Sequence, residues 1–267
     1  KTTTMKHIHN QLLEEKGMFD IVYWVTVPKA FSITKLQSDI AKALKLSFEE
    51  DEDETIRASE LYAALSRQKR YVLILDDLWE PFALERVGIP EQMKSNGCKL
   101  VLTTRSLEVC RRMECTPVKV DLLTEEEALT LFLSKAVGND TVLAPEVEEI
   151  AAKIAKQCAG LPLAIVTSAG SLRGLKGTCE WRNALNELIS STEDASNDES
   201  EAFERLKFSY SRLGSKVLQD CFLYCSLYPE DHNIPVNELI EYWIAEELIA
   251  DMDSEEAQLN KGHAILG

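Results

Sequence analysis

No stretch of this chain stays apolar for the ~18–20 residues that a bilayer-spanning helix needs, so none of its segments is a candidate helical membrane span. Neither an initiator Met nor a secretory leader opens it. Because the first residue is already Lys1, that second absence excludes nothing. Positive charge is scarce: 29 Lys and Arg stand against 45 Asp and Glu, a net charge of −16. A nucleic-acid binder presents a basic face, and this balance argues against that class. C-x-x-C pairs are missing as well, and the seven cysteines are odd in number and scattered, the usage of reduced core residues in an intracellular protein. Cys221 and Cys225 share a helical face with His232 beyond them, but structural zinc takes four ligands and only three are near.

What is present is the material of a globular chain. Apolar residues make up 45 % and charged residues 28 %, enough to bury cores and too apolar for disorder. A length of 267 residues suits two or three domains. Much of the negative excess lies in two runs, 49–54 and 193–201, which read as solvated loops or linkers.

The hydrophobic spacing predicts alternating helices and strands as far as about residue 120. Met5, Ile8, Leu12 and Leu13 place a helix over 3–16, and the β-branched and aromatic run Phe19–Val27 is a strand ended by Pro28. A helix follows over 33–46, with Ile33, Leu36, Ile40, Ala43 and Leu44 on one face. Another runs from about Thr55 to Gln68, and strands come at Tyr71–Leu75 and Lys99–Thr103. The latter is announced by the turn Ser95-Asn96-Gly97, and a short fourth strand is expected at Val118–Val120. Such alternation implies a parallel sheet with crossover helices.

After residue 121 the strand signals stop. Thr124 with Glu127 three residues on is a capping box that opens a helix reaching Val137. A second helix follows Pro145 to Gln157, and Gly160-Leu161-Pro162-Leu163 interrupts and restarts a third. The acidic stretch 190–200 is a candidate boundary, with short helices beyond it at 203–213, 216–227 and 236–249.

Three constellations carry chemistry. Strand 71–75 delivers Asp76 and Asp77 to its carboxyl end, the edge where open α/β sheets bind ligands. Adjacent carboxylates repel unless a cation is close, which suits Asp76 to Mg²⁺ and Asp77 to the orientation of an attacking water. Lys1-Thr2-Thr3 has the Lys and hydroxyls that close a phosphate loop, without the glycines that would precede them. Thr103-Thr104-Arg105 ends the next strand, where an Arg could read the charge of a terminal phosphate or could simply lie on the surface.

Taken in order, the K-T-T remnant, F-D-I-V-Y-W-V-T-V (19–27), L-I-L-D-D-L-W (73–79), C-K-L-V-L-T-T-R (98–105), L-T-E-E-E-A-L-T-L-F (123–132), C-A-G-L-P-L-A-I (158–165) and C-F-L-Y-C-S-L-Y-P-E-D (221–231) resemble the NB-ARC module of plant nucleotide-binding leucine-rich-repeat immune receptors. Trp79 and the C-F-L-Y-C block resemble its coiled-coil class. The resemblance implies an α/β phosphate-loop NTPase domain over 1–120 that lacks its first strand and glycine loop. It further implies a helical ARC1 domain over 121–200 and a winged-helix ARC2 domain over 201–267 that stops short of the M-H-D segment. By the same resemblance Lys1 contacts phosphate, Thr2 contacts Mg²⁺ and Thr3 lies beside them. Asp76 and Asp77 are the acidic pair, Arg105 senses the γ-phosphate and Pro162 packs near the adenine.

The function so implied is an ADP/ATP switch in a cytoplasmic receptor, at most a slow regulatory ATPase. Its partners would be the receptor's own coiled-coil and leucine-rich-repeat domains and, when active, further copies of itself. Pro28 departs from the Ser more usual there, and a chain without the glycine loop would lack backbone donors for the phosphates. Two other readings remain open. An ADP-holding scaffold without turnover needs the same residues. A DNA-binding winged helix is disfavoured, because 201–267 carries 13 Asp and Glu against 5 Lys and Arg.

Overall fold

A computed structural model describes residues 2–15, 17–29, 32–49, 51–91, 97–138, 143–193, 198–229, 232–250 and 254–267, the side chains of 192–201 excepted. Lys1, Ser95 and Asn96 therefore lie outside the described residues, as do parts of both acidic runs. The chain divides into two compact units, Lys1–Val120 and Asp121–Gly267.

The first unit is α1 (Thr2–Glu14), β1 (Ile21–Thr26), α2 (Ile33–Ala43), α3 (Glu54–Arg67), β2 (Tyr71–Leu78), a single turn α4 (Leu84–Val87), β3 (Lys99–Thr104) and α5 (Leu107–Arg112). The strands form one parallel sheet in the order β1-β2-β3. Central β2 is apolar on both faces, as its unbroken hydrophobic run requires. Leu73 and Leu75 join Tyr23, Val25, Leu36, Ile40, Leu61 and Leu65 in the larger core. Val72 and Ile74 point the other way, onto Met5 of α1.

Two expectations need correcting here. Strand β2 continues through the acidic pair to Leu78, and Val118–Val120 forms no strand. Val118 is 85 % exposed, so its β-branched side chain has no half-buried surface to pack on, and propensity without burial does not make a strand.

The second unit is helical among the described residues: α6 (Glu125–Ala136), α7 (Pro145–Gln157), α8 (Pro162–Ser171), α9 (Thr178–Glu193), α10 (Asp198–Ser211), α11 (Lys216–Tyr224), α12 (Val236–Ala245) and α13 (Glu255–Leu266), with a 3₁₀ turn at Cys225–Leu227. Helices α6 to α10 surround one core, in which Phe132 and Trp181 meet edge to face at 6.3 Å. Helix α10 belongs to this bundle: Phe208 is buried in it, and Arg205 donates to the carbonyl of Gln157 at the end of α7. A separate core gathers Cys221, Leu239, Ile240, Trp243 and Ile249. Burial raises the pKa of the Cys221 thiol, as fits a core residue.

The capping box at α6 is present as the spacing predicts. The Thr124 hydroxyl accepts from the Glu127 amide at 3.2 Å, and Glu127 Oε2 accepts from the Thr124 amide at 2.9 Å. The Thr124 amide, together with the Thr124 hydroxyl that lies 3.1 Å from the same Oε2, lowers the Glu127 pKa. A carboxylate with a depressed folded pKa stabilises above its unfolded pKa, and the contribution is lost as pH falls through the folded value. Thr124→Ala should cost about 1 kcal/mol at pH 7. Its deficit in urea unfolding should shrink as the pH is lowered below about 4, because protonation weakens the same box in the parent.

Candidate functional site

The site is built where β2 meets β3, and a bulge makes it. Leu75 pairs with Leu102 and Leu78 with Thr104, so three steps along β2 match two along β3. One extra residue is thereby inserted beside the acidic pair. Asp77 absorbs it in the left-handed region, at φ 59°, which Asp tolerates better than most residues. The bulge interrupts the backbone ladder, and one Thr103 hydroxyl then serves both aspartates, the side chain of one and the main-chain amide of the other. It donates to Asp76 Oδ1 at 2.6 Å and accepts from the Asp77 amide at 2.9 Å. Asp76 is only 2 % exposed. A second hydroxyl, that of Thr2 at the start of α1, donates to the same Oδ1 at a long 3.4 Å. The backbone carbonyl of Asp76 accepts from the Val27 amide, tying the end of β1 to the same edge.

Asp77 faces a different set of groups. Its Oδ2 accepts from the Trp79 indole N–H at 3.0 Å, and its Oδ1 lies 3.7 Å from Arg105 Nε. The Arg105 guanidinium carbon sits 4.8 Å from the centroid of the Trp79 ring, and Lys29 Nζ approaches the same ring to 4.7 Å.

Of the residues singled out from sequence, Thr2, Asp76, Asp77 and Arg105 come together. Thr3 is exposed on α1, and Lys1 lies outside the described residues. Pro162 is exposed at the first turn of α8, in the second unit. Thr103 enters the sequence reading only as a neighbour of Arg105 with no role of its own, Trp79 enters it with no part in the site, and Lys29 does not enter it. For Thr103 the only signal was its place at the end of a strand flanking the aspartates. For Trp79 it was an indole two residues past them.

A buried carboxylate joined by hydroxyls is a hard-oxygen donor set, the kind that Mg²⁺ accepts while keeping several waters. Thr2 and Asp76 therefore fit that ion by donor chemistry.

A parallel sheet that presents an acidic pair at its carboxyl edge, with a hydroxyl-bearing helix start beside it, defines a phosphate-loop NTPase fold. The chain belongs to the NB-ARC domain family, a family of nucleotide-binding domains, whose profile matches residues 1–142. Along its whole length it is similar to the Arabidopsis thaliana disease resistance proteins UNI (39 % identical over 270 residues), SUMM2 (41 % over 271) and RPS5 (38 % over 271). It spans 30 % of the length of each.

Proposed function

We propose that this chain is the ADP/ATP-dependent switch of a cytoplasmic plant immune receptor and controls activation of the defence response. The observation that carries the reading is the Thr103-braced acidic pair with Arg105 beside it. On this reading Thr2 and Asp76 hold Mg²⁺, Lys1 and Thr3 meet the phosphates, and Pro162 packs near the adenine. The ion when bound supplies charge neutralisation between the phosphates. Asp77 orients water, and Arg105 distinguishes tri- from diphosphate by charge-assisted hydrogen bonds. A switch needs the two nucleotides to favour different conformations, and Arg105 is a group able to make that difference.

The module would comprise a nucleotide-binding domain over 1–120, a helical domain from 121 that extends past the expected boundary at 200 to take in α10, and a winged-helix domain beyond it. It would work on coiled-coil and leucine-rich-repeat domains of the whole receptor, and active copies would assemble with one another. The similarity to disease resistance proteins along the whole chain supports that role.

The test is to denature the purified full-length protein and identify what it releases by chromatography. Stoichiometric ADP is the expected result, and a folded protein that releases no nucleotide would overturn the reading. ADP retained with no detectable turnover would favour the scaffold instead. Asp77→Ala should leave ADP retention intact and slow hydrolysis by about 10²-fold. Equal single-turnover rates in variant and parent would remove Asp77 from the chemistry.

A further inference from the structure

Trp79 touches both of the groups assigned to Asp77 and Arg105 above, yet that reading gives it nothing to do. Its indole N–H is spent on Asp77 Oδ2 at 3.0 Å, which fixes the plane of the ring against the bulge. The ring so fixed lies 4.8 Å from the Arg105 guanidinium carbon. Arg105 needs such a support, because its side chain is 67 % exposed and its pairing with Asp77, through Nε at 3.7 Å, is too long for a hydrogen bond. A guanidinium held over an aromatic ring keeps its N–H donors directed outward in its own plane. The contact that Arg105 makes with Asp77 uses Nε, and the terminal pair of nitrogens is the fork that grips a phosphoryl oxygen.

We propose that Trp79 is a positioning residue. Anchored by Asp77, its ring holds the Arg105 guanidinium ready for the terminal phosphate of a nucleoside triphosphate, and so sets how strongly the site prefers tri- to diphosphate. This rests on the nucleotide reading above. Lys29 Nζ approaches the same ring to 4.7 Å and adds positive charge beside Arg105.

The experiment compares Trp79→Phe and Trp79→Ala with the parent in the full-length protein, measuring Kd for Mg·ATP and for ADP. A cation–π contact at an exposed site corresponds to about two- to fivefold in population. The ratio of ADP to ATP dissociation constants should fall by that factor in Trp79→Ala. Trp79→Phe, which keeps a ring but loses its anchor, should fall between parent and Ala. A merely structural defect would weaken both nucleotides alike and leave the ratio unchanged.

A nucleotide-free readout accompanies it: a double-mutant cycle of Trp79→Ala with Arg105→Ala in urea unfolding. Non-additivity of about two- to fivefold in the unfolding constant is expected. If the parent binds both nucleotides and the variants keep its ratio, or if the cycle is additive, the positioning role is overturned by itself. A parent that binds neither nucleotide overturns the nucleotide reading and this proposal together.

Discussion

Gly160→Ala is expected to destabilise the second unit by at least ~3 kcal/mol, seen as a large fall in its urea midpoint with an unchanged denaturant slope. Two costs combine at this position. Gly160 sits at φ +69°, where an L side chain is strained, and a Cβ built there would lie 2.4 Å from the backbone carbonyl oxygen of Leu123. No real Cβ tolerates that distance, and the atom it meets is backbone, not a side-chain end that could swing away. The close approach exists because the Leu123 amide donates to the Gly160 carbonyl at 3.0 Å. That bond fastens the residue before the α6 N-cap to the turn between α7 and α8.

Gly174 supplies the control. It has φ +88° but nothing within 4 Å of a built Cβ, so Gly174→Ala should cost only the backbone strain of about 1 kcal/mol. Equal losses for the two variants would show that the contact with Leu123 is not what requires glycine at 160. A large difference would make G-L-P-L first a structural joint, whatever Pro162 does for a nucleotide.

That joint also shows where sequence reasoning runs out. The segments starting at Leu123 and Cys158 are separate motifs when read along the chain, and only the fold makes them one contact. Strands β1 and β3 and most helices were legible because burial on one face or two leaves a period, as in Leu36, Ile40 and their neighbours on α2. Helix α9 was overlooked although Trp181, Ala184 and Leu188 are all fully or nearly buried, because the acidic stretch after it looked like a linker. Helix α13 was overlooked for a related reason. Its close contact with α12 is made by Gly262, where a Cβ would lie 2.4 Å from Ile240 Cγ2, and a glycine leaves no apolar signal.

At the site, the acidic pair and Arg105 could be read because charge at a strand end is conspicuous. The bulge could not, since nothing in L-D-D-L announces a positive φ at Asp77. Thr103 matters only because of that bulge. In a regular ladder the Asp77 amide would donate to a backbone carbonyl of β3, and the bulge leaves it to the Thr103 hydroxyl that also holds Asp76.

Asp76→Asn separates what Asp76 does for the fold from what it does for a ligand. In the absence of nucleotide and Mg²⁺ the variant should be as stable as the parent, or more stable by ~1–2 kcal/mol. A carboxylate that is 2 % exposed is costly without a cation beside it. The amide keeps the shape, and its Oδ1 can still accept from Thr103, whose hydroxyl is 2.6 Å away in the parent. With Mg·ATP present at about a hundred times its Kd, the parent should gain about 2.7 kcal/mol by linkage. The variant should gain almost none of this, since a neutral amide is a poor ligand for a hard divalent cation. The two expectations have opposite signs, and that makes the measurement decisive. A variant that is less stable than the parent without ligand, yet gains as much as the parent from Mg·ATP, would make Asp76 a structural partner of Thr103 and send the search for the metal ligand elsewhere along the sheet edge.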